Sequence, residues 1–365
     1  MKKDSIRIAN CSGFIGDRFS AAEEMVKGGP IDALTGDYLA EVTMGGLKSF
    51  QELSDRPEES GYATNFLFQA QQVLAECLDK NIKIVVNAGG INPEGLATAL
   101  EQMAHNLGLK PTVAWIDGDN VLPRLPELQK QGEPLCNMET GEPLVDCKRE
   151  IKTANAYLGG WGIKTALDAG ADVVIAPRTT DAALVLGLGA WKFQWQRDDY
   201  DALAGAIVAG HIIECGPQAC GGNYSWFDEM EKDLHIGFPI AELFADGSSE
   251  IYKHKDTDGL VSVGTVTEQI VYESQTTEYF NPDVITHFDS IKLDQIAEDR
   301  VRVTEVRGSA PSTTHKVCIN TFGGYKTMMT IPLAGPKAEK KRNISSGSGC
   351  ILRAVRRSLI RFSVN

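Results

Sequence analysis

Residues 210–224, GHIIECGPQACGGNY, set His211, Glu214, Cys215, Gln218 and Asn223 among glycines and a proline. Glycines let backbone approach a ligand, while these polar side chains donate, accept or titrate. His211 and Glu214 lie three apart, so one helical turn puts both on one face, as acid and base or as two metal ligands. No HExxH pattern or third ligand accompanies them, so a metal is not implied. Cys215 reads as a nucleophile only if His211 activates it, and otherwise as a buried inert thiol. Gln218 and Asn223 read as a neutral hydrogen-bonding loop that positions a substrate. Upstream, the apolar run of ADVVIAPRTTDAAL ends in Arg178, Thr179, Thr180 and Asp181. Arg178 suits a bidentate grip on a carboxylate or phosphate, and Asp181 orients it or takes a proton. The plainer reading is an internal salt bridge capping a helix over 182–188.

Three glycine or acidic turns belong beside these. In CSGFIGDRF (11–19), Ser12, Gly13 and Gly16 stand between a strand and a helix, where backbone N–H groups can hold an anion. The turn matches neither GxGxxG nor a Walker motif, and Asp17 opposes an anion unless it points away. In NAGGINP (87–93), Pro93 opens a helix, and Asn87 is placed to face a ligand. Asp117 and Asp119 read as cation ligands or, more simply, as a solvated Asx turn.

What must position them is a series of strand–loop–helix repeats. Apolar runs at 6–9, 31–35, 82–86, 112–116 and 172–175 alternate with helical periodicity at 64–80, 94–107 and 161–169. Ser20 is the expected N-cap of the first helix. This order predicts an α/β fold, a mostly parallel doubly wound sheet followed by a smaller α+β lobe. The expected domains are 1–228, with the strand-end loops, 229–335, and an atypical tail at 336–365. In the second part we expect strands at 250–253, 260–266, 301–305, 316–321 and 325–331, and helices at 266–272 and 293–299. Asn10, Ser12, Asp17, Asp37, Asn87, Asp117, Asp119, Arg178 and Asp181 all follow strand ends, where open α/β sheets bind ligands. The polar stretch 125–150 reads as a lid.

Bulk properties exclude several classes. A formal charge of −13 argues against nucleic acid as a partner, and no apolar run is long enough to span a membrane. The eight cysteines include no CxxC pair, which predicts free thiols in the cytoplasm or an organelle interior. The tail, 336–365, carries eight Lys/Arg against one Glu, net +7, leaving −20 for the rest. That reversal suggests a solvated basic helix, or a segment from alternative splicing or a shifted reading frame.

Taken together, the segments IANCSGFIGDRFSAAEEMVKGGPIDALTGDYLAE, VVNAGGINP, TANAYLGGWGI, GADVVIAPRTTDAALVLG and AGHIIECGPQACGGNY resemble the acyclic terpene utilisation AtuA family. LVSVGTVTEQIVYE, NPDV and VRGSAP extend the resemblance to roughly residue 335. Pro177 departs from it, since the family more often has glycine before the Arg. The resemblance implies a role in breaking down citronellol- and geraniol-type compounds through acyl-CoA intermediates, alongside biotin-dependent carboxylase subunits. It supplies no settled reaction. The expectation is therefore acid/base chemistry of the hydration or dehydration type on an acyl-CoA or branched carboxylic acid. His211, Glu214 and Asp181 would be catalytic. Arg178, Asn87, Asn223, Ser12, Gly13, Gly16 and Gln218 would bind substrate. No cofactor is evident, with a CoA thioester as candidate substrate. The rival expectations are a non-catalytic partner of an acyl-CoA carboxylase-type complex and a metal-dependent enzyme. A homo-oligomer is compatible with all three.

Overall fold

Short β-branched runs followed by glycine turns and amphipathic segments can bury their apolar faces only by stacking helices on a sheet. A computed structural model of the chain describes residues 4–230 and 235–324. Strand β1 (Ser5–Asn10) leads to helix α1 (Ala21–Lys27), and β2 (Ala33–Gly36) to α2 (Glu41–Leu53) and α3 (Asn65–Asp79). Then β3 (Lys83–Val86) precedes α4 (Pro93–Asn106), β4 (Val113–Trp115) precedes α5 (Leu125–Lys130), and β5 (Ile151–Ala156) precedes α6 (Trp161–Asp168). Next, β6 (Val173–Ile175) feeds α7 (Ala183–Phe193) and α8 (Tyr200–Ile213). The remainder is β7 (Ile240–Phe244), β8 (Ser249–Tyr252), α9 (Val263–Val271), β9 (Glu278–Phe280) and β10 (Ile285–His287). It ends with β11 (Lys292–Ala297), β12 (Arg300–Thr304), β13 (Arg307–Ser309) and β14 (Val317–Thr321).

The large sheet has nine strands in the order β11-β12-β8-β7-β1-β2-β3-β6-β4. From β1 to β4 every pairing is parallel, while β7, β8, β12 and β11 add antiparallel on the other side of β1. Strands from both sides of residue 228 thus share one sheet. Strands β13, β10 and β9 form a separate antiparallel sheet, and β14 pairs with β5. Alternate strand residues enter two cores. Ile8, Val85 and Val174 pack with α7 and α8, whereas Ala9, Ile84, Val86, Val173 and Ile175 pack with α1, α3 and α4. This is the two-residue period of a strand buried on both faces.

Three local expectations are corrected. Ser20 does not cap α1; its hydroxyl donates to Glu24 Oε1 at 2.6 Å. The run 260–266 is not a strand, because Ser262 and Thr265 make a reciprocal capping box that starts α9 at Val263. The segment 293–299 is not a helix but β11, an edge strand joined to β12 by a turn in which Asp299 takes φ 52°.

The chain divides into one unit of residues 1–133 and 152–320 and another of 134–151 and 321–365. In the second, Cys136 bridges to Pro143, Asn137 N–H donates to Glu142 O at 2.8 Å, and Phe322 N–H to Glu150 O at 2.8 Å. The tail at 336–365 and the strand expected at 325–331 lie outside the described residues. Among the described residues no helix is long and apolar enough to cross a membrane.

Candidate functional site

Sheet register decides which loops meet. Asn10 aligns with Thr35, Gly36 with Val86, and Val86 with Ile175, so β1, β2, β3 and β6 end at one level. Asp37 and Asn87, each one residue beyond its strand, are therefore neighbours. Asn87 Nδ2 donates to Asp37 Oδ1 at 2.6 Å, and Asn87 Oδ1 accepts from Tyr38 N–H at 2.7 Å. Asn87 thus shapes the Asp37 loop, one amide N–H given to Asp37 and its oxygen filled by the Tyr38 N–H. Asn10 Nδ2 donates to Ser12 O, Ile213 O and Glu214 O at 3.0, 2.7 and 3.0 Å, pinning the end of α8 to the end of β1.

Arg178 is almost wholly buried, 1% exposed. Its Nη1 donates to Leu39 O at 2.6 Å and to Asp181 Oδ1 at 3.0 Å. Its Nη2 donates to the Tyr157 hydroxyl at 3.2 Å and lies 3.7 Å from Glu41 Oε1. The guanidinium also stacks on the Tyr157 ring, 4.5 Å from its centroid. The fork expected to grip a ligand's anion is filled by the chain's own acceptors. Only Nε has no partner among the described residues, and it is buried. The internal salt bridge, read beforehand as the plainer alternative, is what Arg178 and Asp181 make.

Glu41 and Tyr157 belong to this cluster although neither was singled out from sequence. Burial pushes Glu41 up, but the Tyr157 hydroxyl it accepts and the Arg178 charge outweigh that and hold it at about 2. Asp119 sits behind Arg178, taking the Asn155 amide at 2.7 Å and the Arg178 N–H at 3.3 Å. Burial raises it to about 6. Asp117 is exposed and accepts from Gly118 N–H at 2.6 Å, so the two aspartates do not converge on a cation.

His211 occupies the last turn of α8, which ends one residue before Glu214. Its Nδ1 lies 2.9 Å from Glu214 Oε1 and its Nε2 lies 3.2 Å from Ile270 O. A carbonyl oxygen only accepts, so Nε2 carries a proton. With Glu214 ionised, Nδ1 carries one too. Burial pulls His211 down, but the Glu214 charge and hydrogen bond prevail, and its proton affinity is raised. No ring nitrogen is left for Cys215, whose thiol is pushed up by burial and then by Glu214, Asp37 and Asp181. A His211-activated nucleophile at Cys215 has no geometry here.

The second oxygen of Glu214 is different. Oε2 is buried with no hydrogen-bond partner among the described residues, as are Gln218 Oε1 and the hydroxyls of Thr179 and Thr180. The Glu214 charge is felt at Asp37 and Asp181. Burial first, then Asp181 and Glu214, raise Asp37 well above the carboxylate range. Asp181 keeps 29% side-chain exposure at the mouth of the cluster. Loss of hydration there, with Glu214, Glu41 and Glu273, outweighs the Arg178 charge and lifts it to about 7. Tyr279, from β9, completes the set. Its ring packs 5.1 Å from the His211 ring and 5.1 Å from Phe288. Burial, then Glu214 and Asp181, raise its hydroxyl far above 10.

Arg178, Asp181, Glu214 and His211 thus lie in one cluster with Asp37 and Tyr279. The turn bearing Ser12, Gly13 and Gly16 borders it, since a Cβ on Gly13 would stand 2.5 Å from the Cys215 carbonyl carbon and the Gly216 nitrogen. It does not present an anion cradle: Asp17 turns inward, and its Oδ2 takes the Gly13 N–H at 2.8 Å. Ser12 donates to Phe14 O at 3.1 Å, and Gly16, at φ 93°, shapes the turn. Asn223 is exposed and outside the cluster. Among the described residues no group of three or more His, Cys, Asp or Glu has a geometry that could hold a metal ion. Cavities of 340 and 500 Å³ lie elsewhere, around Asp201 and Asp246, and none of the cluster's residues lines them.

No curated protein and no solved structure matches the chain. The family model for acyclic terpene utilisation family protein AtuA matches residues 6–354, past the point near 335 where the resemblance was expected to end. With nearly its whole length matched, the chain belongs to the acyclic terpene utilisation AtuA family.

Proposed function

We propose that this chain is an enzyme of acyclic terpene and isoprenoid-acid catabolism that adds water to a branched α,β-unsaturated acyl group or removes it from the corresponding 3-hydroxyacyl group. Membership of the AtuA family supports the metabolic setting. The observation that carries the chemistry is the pairing of Glu214, one oxygen clamped by His211 and the other unpartnered, with Asp181, raised to about 7. A carboxyl group raised toward neutral pH beside a second carboxyl group suits paired general acid and base work.

In the hydration direction Glu214 Oε2 takes a proton from water, whose oxygen bonds to the β-carbon. The π electrons move toward the carbonyl, and protonated Asp181 gives its proton to the α-carbon. Dehydration reverses each transfer. The Tyr279 hydroxyl donates to the carbonyl oxygen as charge develops there. His211 acts through Glu214, which makes it a positioning residue rather than the base. Arg178 holds Asp181 and the Leu39 turn.

Incubation with 3-methylbut-2-enoyl N-acetylcysteamine thioester in D₂O, followed by proton NMR, tests this. The expected result is deuterium at the α-carbon with formation of the 3-hydroxy product. Glu214→Gln and Asp181→Asn should each slow it roughly 10²–10⁴-fold while the far-ultraviolet circular dichroism is unchanged. Absence of exchange and hydration in the wild-type chain across branched enoyl thioesters would sink the proposal.

A further inference from the structure

We infer that the solvent-facing side of α2 is a docking surface for a second copy of this chain, the two copies pairing helix against helix about a twofold axis. The inference stands apart from the acid–base reading above. On its inner side α2 buries Met44 and Leu47, which pack with Leu39, Ile15 and Ile91. On the opposite side Val42, Gly46, Ser49, Phe50 and Leu53 recur at helical spacing and form one stripe. Val42 is 78% exposed, Phe50 72% and Leu53 84%. A helix side that meets only water is ordinarily charged or polar. This stripe carries no charge, and its one hydroxyl is engaged, because Ser49 Oγ donates to Gly45 O at 2.9 Å. The charged residues Glu41, Lys48 and Glu52 lie along one rim of it, with Lys152 3.3 Å from Glu52.

Gly46 is the observation that calls for close packing. Glycine inside a helix weakens it, and is of use where another group must come near. Gly45 has such a reason, since a Cβ there would stand 3.1 Å from Asn320 Oδ1. A Cβ at Gly46 would meet nothing within 4 Å among the described residues, and the Gly46 φ is not positive. Nothing in a single copy requires glycine at this position. The stripe also identifies the partner. Gly46 leaves a notch in the helix surface, and Phe50, about one turn on, stands out as a knob on the same side. Antiparallel packing of two α2 helices seats each Phe50 ring over Gly46 of the other copy and brings Val42 toward Leu53. Such a face is self-complementary, and the pairing closes on itself. Three side chains this exposed offer on the order of 400 Å² per copy, or roughly 800 Å² in the pair, below the standard interface size. That area suits a weak dimer, with a Kd of about 1–100 µM.

Sedimentation velocity of the full chain from about 1 to 200 µM, spanning the expected Kd, tests the inference. No substrate is present, so the result is independent of the hydratase reading. The sedimentation coefficient should rise with concentration from that of a monomer to that of a dimer. Phe50→Glu and Leu53→Glu should each weaken association at least about 30-fold with far-ultraviolet circular dichroism unchanged, and the second decides should the first fail to fold. Gly46→Leu separates docking from a purely structural role. Leucine forms helix better than glycine, so the melting temperature of the dilute monomer should not fall. Association should nevertheless weaken at least about 10-fold as the notch fills. A monomer at every concentration would overturn the inference and leave the face to a partner of another sequence. A dimer indifferent to both glutamate variants, or one as tight in Gly46→Leu as in the wild-type chain, would overturn it as well.

Discussion

At the scale of single residues, the decisive fact is how His211 spends its nitrogens. A histidine three residues before a glutamate on a helix suggests a base with a helper. Here Nε2 donates to Ile270 O, so the ring cannot take a proton from a ligand at that atom, and Nδ1 belongs to Glu214. Imidazole ¹⁵N chemical shifts should therefore report two protonated nitrogens for His211 through neutral pH. The raised proton affinity means that the charged form, and the ion pair's stabilising contribution, is present below the ordinary histidine range and lost only as pH rises through the raised value. A neutral ring with one bare nitrogen at pH 7 would contradict this. The sequence made His211, Glu214, Arg178 and Asp181 visible because polar groups in a glycine-rich or strand-end setting stand out from core. Tyr279, Tyr157 and Glu41 stayed hidden because each sits in a segment ordinary in composition. Their role exists only once β9, β5 and α2 are folded beside the strand ends.

At the scale of elements, Arg178 is a tie rather than a hand. From the loop after β6 it holds the Leu39 turn before α2, Asp181 before α7 and the Tyr157 hydroxyl after β5. Removing one partner from a buried charged network leaves the rest uncompensated. Arg178→Ala should lower unfolding stability in urea by about 3–5 kcal/mol, with Arg178→Lys intermediate. A change below about 0.5 kcal/mol would mean that the guanidinium is free to serve a ligand. Element types were legible where apolar periodicity was strong, as in α3, α4 and β3. They failed where another force ruled. The β-branched run before α9 reads as strand, but the Ser262–Thr265 box starts a helix there. Most of β11 faces solvent at the sheet edge, so no buried stripe records its alternation.

At the scale of the whole molecule, parallel register across β1, β2, β3 and β6 gathers carboxylates that the chain keeps far apart in sequence. The antiparallel strands β7, β8, β12 and β11 extend the same sheet, a connectivity that soft composition between residues 228 and 240 gave no means of reading. Gathering like charges has an energetic sign. Asp181 and Asp37 bind a proton more tightly folded than unfolded, so their contribution to stability is present at low pH and lost as pH rises through their raised values. That convergence is the central claim, and it is measured most directly by ¹³C NMR titration of the Asp181 carboxyl in the wild-type chain and in Glu214→Gln. The carboxyl should titrate near 7 in the first and at a lower pH in the second, because one of the charges that raises it has gone. Titration near pH 4 in both would show that Glu214 and Asp181 do not share a site.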